Sequence, residues 1–153
     1  MNNESTVVVL NKIGTSILCV IDLTEASKDA LLAALDIASS TKSKLTVLYP
    51  YRLNQPRSVP DVTQWKKSIE IDATDSFSRM TNTMFSDSDV LWDFKPEVGF
   101  VDDRVEAYSE KHDVGVVVMS NQLARTSDGA FLETLEKLKC PLLIVPGKRI
   151  QEL

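Results

Sequence analysis

The sequence predicts an α/β protein, a three-layer α/β/α sandwich built on an open sheet of five parallel strands. Three observations carry that expectation. Short, continuously apolar runs, ILCVI at 17–21 and VGVVVM at 114–119, have the composition of strands buried on both faces. Between the strand-like runs, apolar residues return every three or four positions, so strands and helices alternate along the chain. A length of 153 residues with 43% hydrophobic positions suffices for one core and is short for two, so residues 1–153 are read as a single domain. Five strands instead of eight argue against a TIM barrel.

Taken in order, ILCVI is the first strand, β-branched and without polar alternation. DLTEAS then leads into a helix, with Thr24 as its expected N-cap and Ala30, Leu31, Ala34, Leu35 and Ala38 forming one apolar stripe. That helix fades in SSTKSK, and LTVLY at 45–49 is the second strand. Pro50, Pro56 and Pro60 make 50–61 a surface connection. Trp65, Ile69, Ala73, Phe77, Met80 and Met84 follow at three- and four-residue intervals and predict a helix to about residue 85. Such an aromatic and methionine stripe suits either a ligand groove or a core, and the helical period accounts for it as core without a ligand.

VLWDF at 90–94 is the third strand, interrupted by Pro96 and therefore an edge strand or a bulged one. Val101, Val105 and Tyr108 share one face of a shorter helix whose first turn holds Asp102 and Asp103, as the positive end of a helix favours. VGVVVM is the fourth strand, SNQLARTSDG is read as a loop, and Phe131, Leu132, Leu135 and Leu138 mark one more helix. LLIVP at 142–146 closes the sheet as the fifth strand.

Composition narrows the function classes. Seventeen Lys and Arg against twenty-two Asp and Glu give a net charge of -5, which offers no broad basic face for nucleic acid. Lys28, Lys44, Arg125 and Lys148 are isolated and read as solvated cations. The opening MNNESTVVVLNKIG has no basic n-region or cleavage site, and no apolar run approaches the roughly 20 residues of a membrane span, so the expected location is the cytoplasm, away from membranes. Cys19 and Cys140 do not form a CxxC pair, which leaves neither a disulfide framework nor a cysteine zinc site, and no metal is expected. Five glycines, at 14, 99, 115, 129 and 147, are scattered instead of concentrated in a phosphate loop.

The stretches ILCVIDLTEASKDALLAALDIASSTKSKLTVLYP, AYSEKHDVGVVVMS and CPLLIVPG resemble the universal stress protein family, and the likeness extends over nearly the whole chain. The resemblance implies strand order 3-2-1-4-5 and a homodimer formed through the last strand, Leu142 to Pro146. It also implies a ligand crevice where strands one and four diverge, with Asp22, Ser120 and Asn121 facing it. In nucleotide-binding relatives the residue matching Asp22 contacts the nucleotide, that matching Pro50 lines the base pocket, and a GxxG pattern followed nine residues later by Gly and Ser/Thr holds the phosphates. Here the first two glycine positions fall on Ser120 and Leu123, and the passage from Met119 to Cys140 is several residues shorter. Ser127, Asp128 and Gly129 alone resemble the distal phosphate segment, and Asp128 adds negative charge there.

Two readings therefore stand at each candidate position. Asp22 is a ribose contact or the polar end of a buried strand that helps start a helix. Ser120, Asn121, Ser127 and Gly129 recognise a small polar ligand or satisfy a shortened loop. His112 lies at a helix end, Cys19 within an apolar strand and Cys140 before a proline, positions that ask for no catalysis. The terminal strand pairs with a second copy or is covered by the N-terminal VVVL segment or by a helix. The expected function is a non-enzymatic, universal-stress-like regulatory protein that acts on a protein partner and has no cofactor. The alternatives are an ATP- or AMP-binding switch and a small-ligand enzyme on the same scaffold.

Overall fold

A computed structural model describes residues 16–54, 56–58, 60–126 and 136–147. Five strands, β1 (Ser16–Val20), β2 (Lys44–Tyr51), β3 (Trp92–Val98), β4 (Val114–Ser120) and β5 (Leu142–Val145), form one parallel sheet in the order β3-β2-β1-β4-β5. The helices are α1 (Ala26–Thr41), α2 (Val62–Ser86), α3 (Val101–Lys111) and α4 (Asn121–Thr126). The five parallel strands and their order agree with the expectation. Phe131, Leu132 and Leu135, on which a further helix was expected, lie outside the described residues, as do VVVL at 7–10, Ser127, Asp128 and Gly129.

Continuous apolarity in β1 has a direct cause: every residue from Ser16 to Val20 is buried, because helices cover both faces of the central strand. On one face, Ile17, Cys19, Leu45, Val47 and Val118 pack with α1 and α2. On the other, Leu18, Val20, Leu48, Val117 and Met119 pack with Val105 and Tyr108 of α3 and Leu123 of α4. The Tyr108 hydroxyl donates to Thr46 Oγ1 at 3.0 Å, which satisfies a buried threonine inside that second layer.

The small residues of α1 face inward, with Ala30, Leu31, Ala34 and Ala38 buried, whereas Leu35 is half-buried. Asp61 caps α2 by accepting the Gln64 amide at 3.2 Å. From Ala73 onward the α2 stripe is core, whereas Trp65 and Ile69 are half-buried: Phe77 is buried, stacks on Phe94 with centroids 4.3 Å apart, and meets Phe85 and Trp92 edge-on.

β3 is an edge strand with an unshifted register, and Pro96 lies within it instead of interrupting it. The physical reason is orientation. The Leu45 amide bonds to the Leu91 carbonyl and the Gly99 amide to the Tyr51 carbonyl, so odd-numbered residues of this stretch face β2 and even-numbered ones face away. Pro96 therefore removes a donor only from the outer edge. Gly99, just beyond, has φ +145°, and a Cβ there would lie 3.0 Å from Arg104 Nε, so the turn into α3 requires glycine.

Candidate functional site

At the carboxyl ends of the two central strands the chain parts, β1 leading to α1 on one face of the sheet and β4 to α4 on the other. Such a topological switch opens a crevice in α/β sheets. Pro50 widens the parting from the β2 side. The last bond of the β1–β2 ladder runs from the Ile21 amide to the Leu48 carbonyl. The next would need an N–H at position 50, which proline lacks.

Asp22 turns inward on its own loop. Its Oδ1 accepts the Thr24 hydroxyl at 2.6 Å, the Ser27 hydroxyl at 2.8 Å and the Thr24 amide at 3.1 Å. The Asp22 amide in turn donates to Ser27 Oγ at 3.1 Å. Leu23, between the aspartate and the threonine, has φ +64°, a left-handed conformation that a branched side chain rarely adopts and that this hydrogen-bonded loop holds. The expectation that Thr24 caps α1 is corrected here. Glu25 occupies the cap position without a side-chain hydrogen bond, and the Thr24 hydroxyl is drawn to the nearer carboxylate, a charged and stronger acceptor.

SNQLARTSDG does not begin as a loop, which corrects a second expectation. β4 passes without a break into α4, and buried Ser120 starts that helix by accepting the Leu123 amide on its Oγ at 3.1 Å. At the place where a phosphate-cradling loop would need converging backbone amides, the chain has a helical turn and a side-chain cap.

Two clefts flank α4. The larger, 810 Å³, lies between the start of α1 and α4 and is lined by Lys28, Asp29, Asn121, Gln122 and Arg125 among others. Lys28 is paired with Glu25 at 3.1 Å, and the lining carries both signs of charge. The smaller, 250 Å³, is bounded by Pro50, Arg52, Phe100 and Leu123. The Arg52 guanidinium lies 3.9 Å above the Phe100 ring, a cation–π contact that ties the end of β2 to the start of α3. Thr126 borders both clefts. The structure thus gathers Asn121 and Pro50 around α4, while Ser120 is buried beneath it and Asp22 is engaged with Thr24 and Ser27.

Tyr49 belongs to this neighbourhood although no motif or spacing singles it out. Burial first, and then the nearby Asp22 carboxylate, push its phenol above the ordinary value. Burial likewise raises the thiols of Cys19 and Cys140, which disfavours their nucleophilic forms. His112 stacks on Tyr108 with centroids 3.9 Å apart, at the opposite end of the sheet, beside a separate 620 Å³ cleft. Among the described residues, no three His, Cys, Asp or Glu side chains are grouped to hold a metal ion, and no helix is long and apolar enough to cross a membrane.

The fold is that of universal stress proteins. The chain is similar to the universal stress protein UspA from Lactobacillus plantarum, with 18% identity, a TM-score of 0.67, and coverage of 86% of this chain and 97% of that one. It is also similar to a protein of the universal stress protein family from Burkholderia pseudomallei, with 20% identity, a TM-score of 0.58, and coverage of 88% and 98%. A universal stress protein in complex with cAMP shares 18% identity, with a TM-score of 0.55 and coverage of 87% and 97%. No family model and no curated protein matches the chain.

Proposed function

We propose that this chain is a cytoplasmic universal-stress-type regulatory protein. It acts through a protein partner at the carboxyl edge of its sheet, without a family-style ATP site and without a chemical step of its own. One observation carries the reading: the first turn of α4, capped by Ser120, stands where a glycine-rich phosphate loop would have to be. The engagement of Asp22 Oδ1 by three donors of Thr24 and Ser27 supports the same reading, since a ribose hydroxyl at that oxygen would compete with them. The mixed charge around the larger cleft suits a polar protein surface better than a polyphosphate.

A second reading, a small-nucleotide switch that takes ATP or AMP, draws on two observations. One structurally similar universal stress protein is in complex with cAMP, and the 810 Å³ cleft beside Asn121 is within the size range of small-molecule sites. In that reading Asp22, Pro50, Ser120, Asn121, Ser127 and Gly129 would form the site. Calorimetric titration of the purified protein with ATP, ADP, AMP and cAMP, each with and without magnesium, separates the two. The expected result is no saturable heat up to millimolar nucleotide; micromolar binding that weakens when Asp22 is replaced by alanine establishes the switch instead.

Assembly belongs to the same proposal. Among the described residues no strand pairs with the outer edge of β5, and Leu143 is 38% exposed, so a second copy pairing along Leu142 to Pro146 would cover both. Light scattering over a concentration series is expected to give twice the monomer mass, and a monomer mass throughout rejects the dimer.

A further inference from the structure

The other open edge of the sheet belongs to β3, and it carries the more exposed apolar surface. Leu91 is 76% and Trp92 41% exposed at its amino end. By the alternation set out above, the backbone groups of Trp92, Phe94 and Val98 face away from β2, and Pro96 leaves a gap in that row of donors. Among the described residues no strand pairs with this edge. Pro96 divides it: a pairing strand finds donors at Trp92 and Phe94 and then meets a residue without an N–H. The open register is therefore a short one, in the amino half of β3.

We propose that residues 7–10, Val-Val-Val-Leu, add to this half of β3 as an antiparallel sixth strand. The reach fits. Ser16 is level with Lys44, and Leu45 is level with Trp92, so the chain enters β1 at the same end of the sheet as the open register. Three strand spacings separate β1 from a strand added outside β3, about 14 Å, and residues 11–15 extend to at most about 18 Å. The direction follows, because a segment that must return to Ser16 at the amino end runs opposite to β3. β5 is a poorer target, since it begins level with Val117, further from the Ser16 end than Val114. The composition also fits: four uncharged residues, three of them β-branched, would cover Leu91 and Trp92.

Amide hydrogen exchange on the full chain tests this. With the added strand, the Trp92 and Phe94 amides exchange at least about tenfold more slowly than in a Val8→Pro variant. The outward-facing Val98 amide, beyond Pro96, and the inward-facing Asp93 and Lys95 amides remain as they were. Equal rates at Trp92 and Phe94 in the two proteins overturn the proposal. So does slowing that survives Val8→Pro and grows with protein concentration, which assigns the edge to a second copy. A second measurement does not depend on exchange. In a Trp65→Phe background only Trp92 fluoresces, and its quenching by acrylamide is expected to rise on Val8→Pro while circular dichroism stays constant; unchanged quenching also overturns the proposal.

Discussion

The turns that leave β1 and β4 lie on the two sides of one crevice and solve the same problem differently. After β1, four residues intervene before the helix cap, and one carboxylate oxygen gathers Thr24 and Ser27 around a left-handed Leu23. After β4 there is no intervening residue, and a single buried hydroxyl starts α4. Both use side chains to satisfy backbone or hydroxyl donors that a ligand would otherwise take up. The β1 turn concentrates its bonds on one residue, whereas the β4 turn relies on burial of Ser120 and on Leu123 packing beneath the helix.

That difference predicts unequal losses. Replacing Asp22 with alanine removes three acceptor contacts and the support of the strained Leu23, and is expected to cost about 2 kcal/mol in urea unfolding followed by circular dichroism. Ser120→Ala removes one cap acceptor and is expected to cost about 1 kcal/mol by the same measurement. If the two losses are equal, or if Ser120 proves the more costly, the β1 turn is not held by its carboxylate in the way described.

The smallest effect isolates the charge of Asp22 from its hydrogen bonds. Asparagine keeps the Oδ1 acceptor, so Asp22→Asn should leave the loop in place while removing the negative charge near Tyr49. The Tyr49 phenol, held above its ordinary value in the folded protein, should then ionise at lower pH than in the wild type, as read from its ring resonances in an NMR titration. The sign for stability follows by linkage. The contribution of a raised phenol is complete below its unfolded value of about 10 and is lost as pH rises through the folded value. The variant should therefore lose that contribution over a narrower alkaline interval. A Tyr49 titration unmoved by the substitution would show that burial alone raises it.

How much of this was legible in the sequence depended on whether the signal was local and periodic. ILCVI, LTVLY, VGVVVM and LLIVP are short apolar runs whose composition leaves little else for them to be, and the 25-residue α2 repeats its stripe often enough to be unmistakable. α4 spans six residues, less than two turns, and cannot display a period, so SNQLAR reads as loop. Thr24 reads as the cap because a hydroxyl before a helix usually caps it. Its actual partner was decided by a carboxylate two residues earlier, a competition that composition does not rank. Pro96 is a third case: the sequence shows that a donor is missing, and only the register shows that it is missing from the outside. The pairing of Tyr108 with Thr46, 62 positions apart, left no trace in either neighbourhood.

The placement of β1 between β2 and β4 has a consequence for synthesis on the ribosome. β2 follows within one short helix, so the first β-α-β unit closes locally. The other seam must wait for Val114, roughly 90 residues after Val20, and closing that longer loop costs about 1 kcal/mol more in chain entropy. At translation rates of about 5–20 residues per second, one flank of a largely apolar strand stays uncovered for several seconds in every newly made molecule. A nascent chain stalled between Tyr51 and Val114 is then the species most prone to aggregate and the one a chaperone would hold.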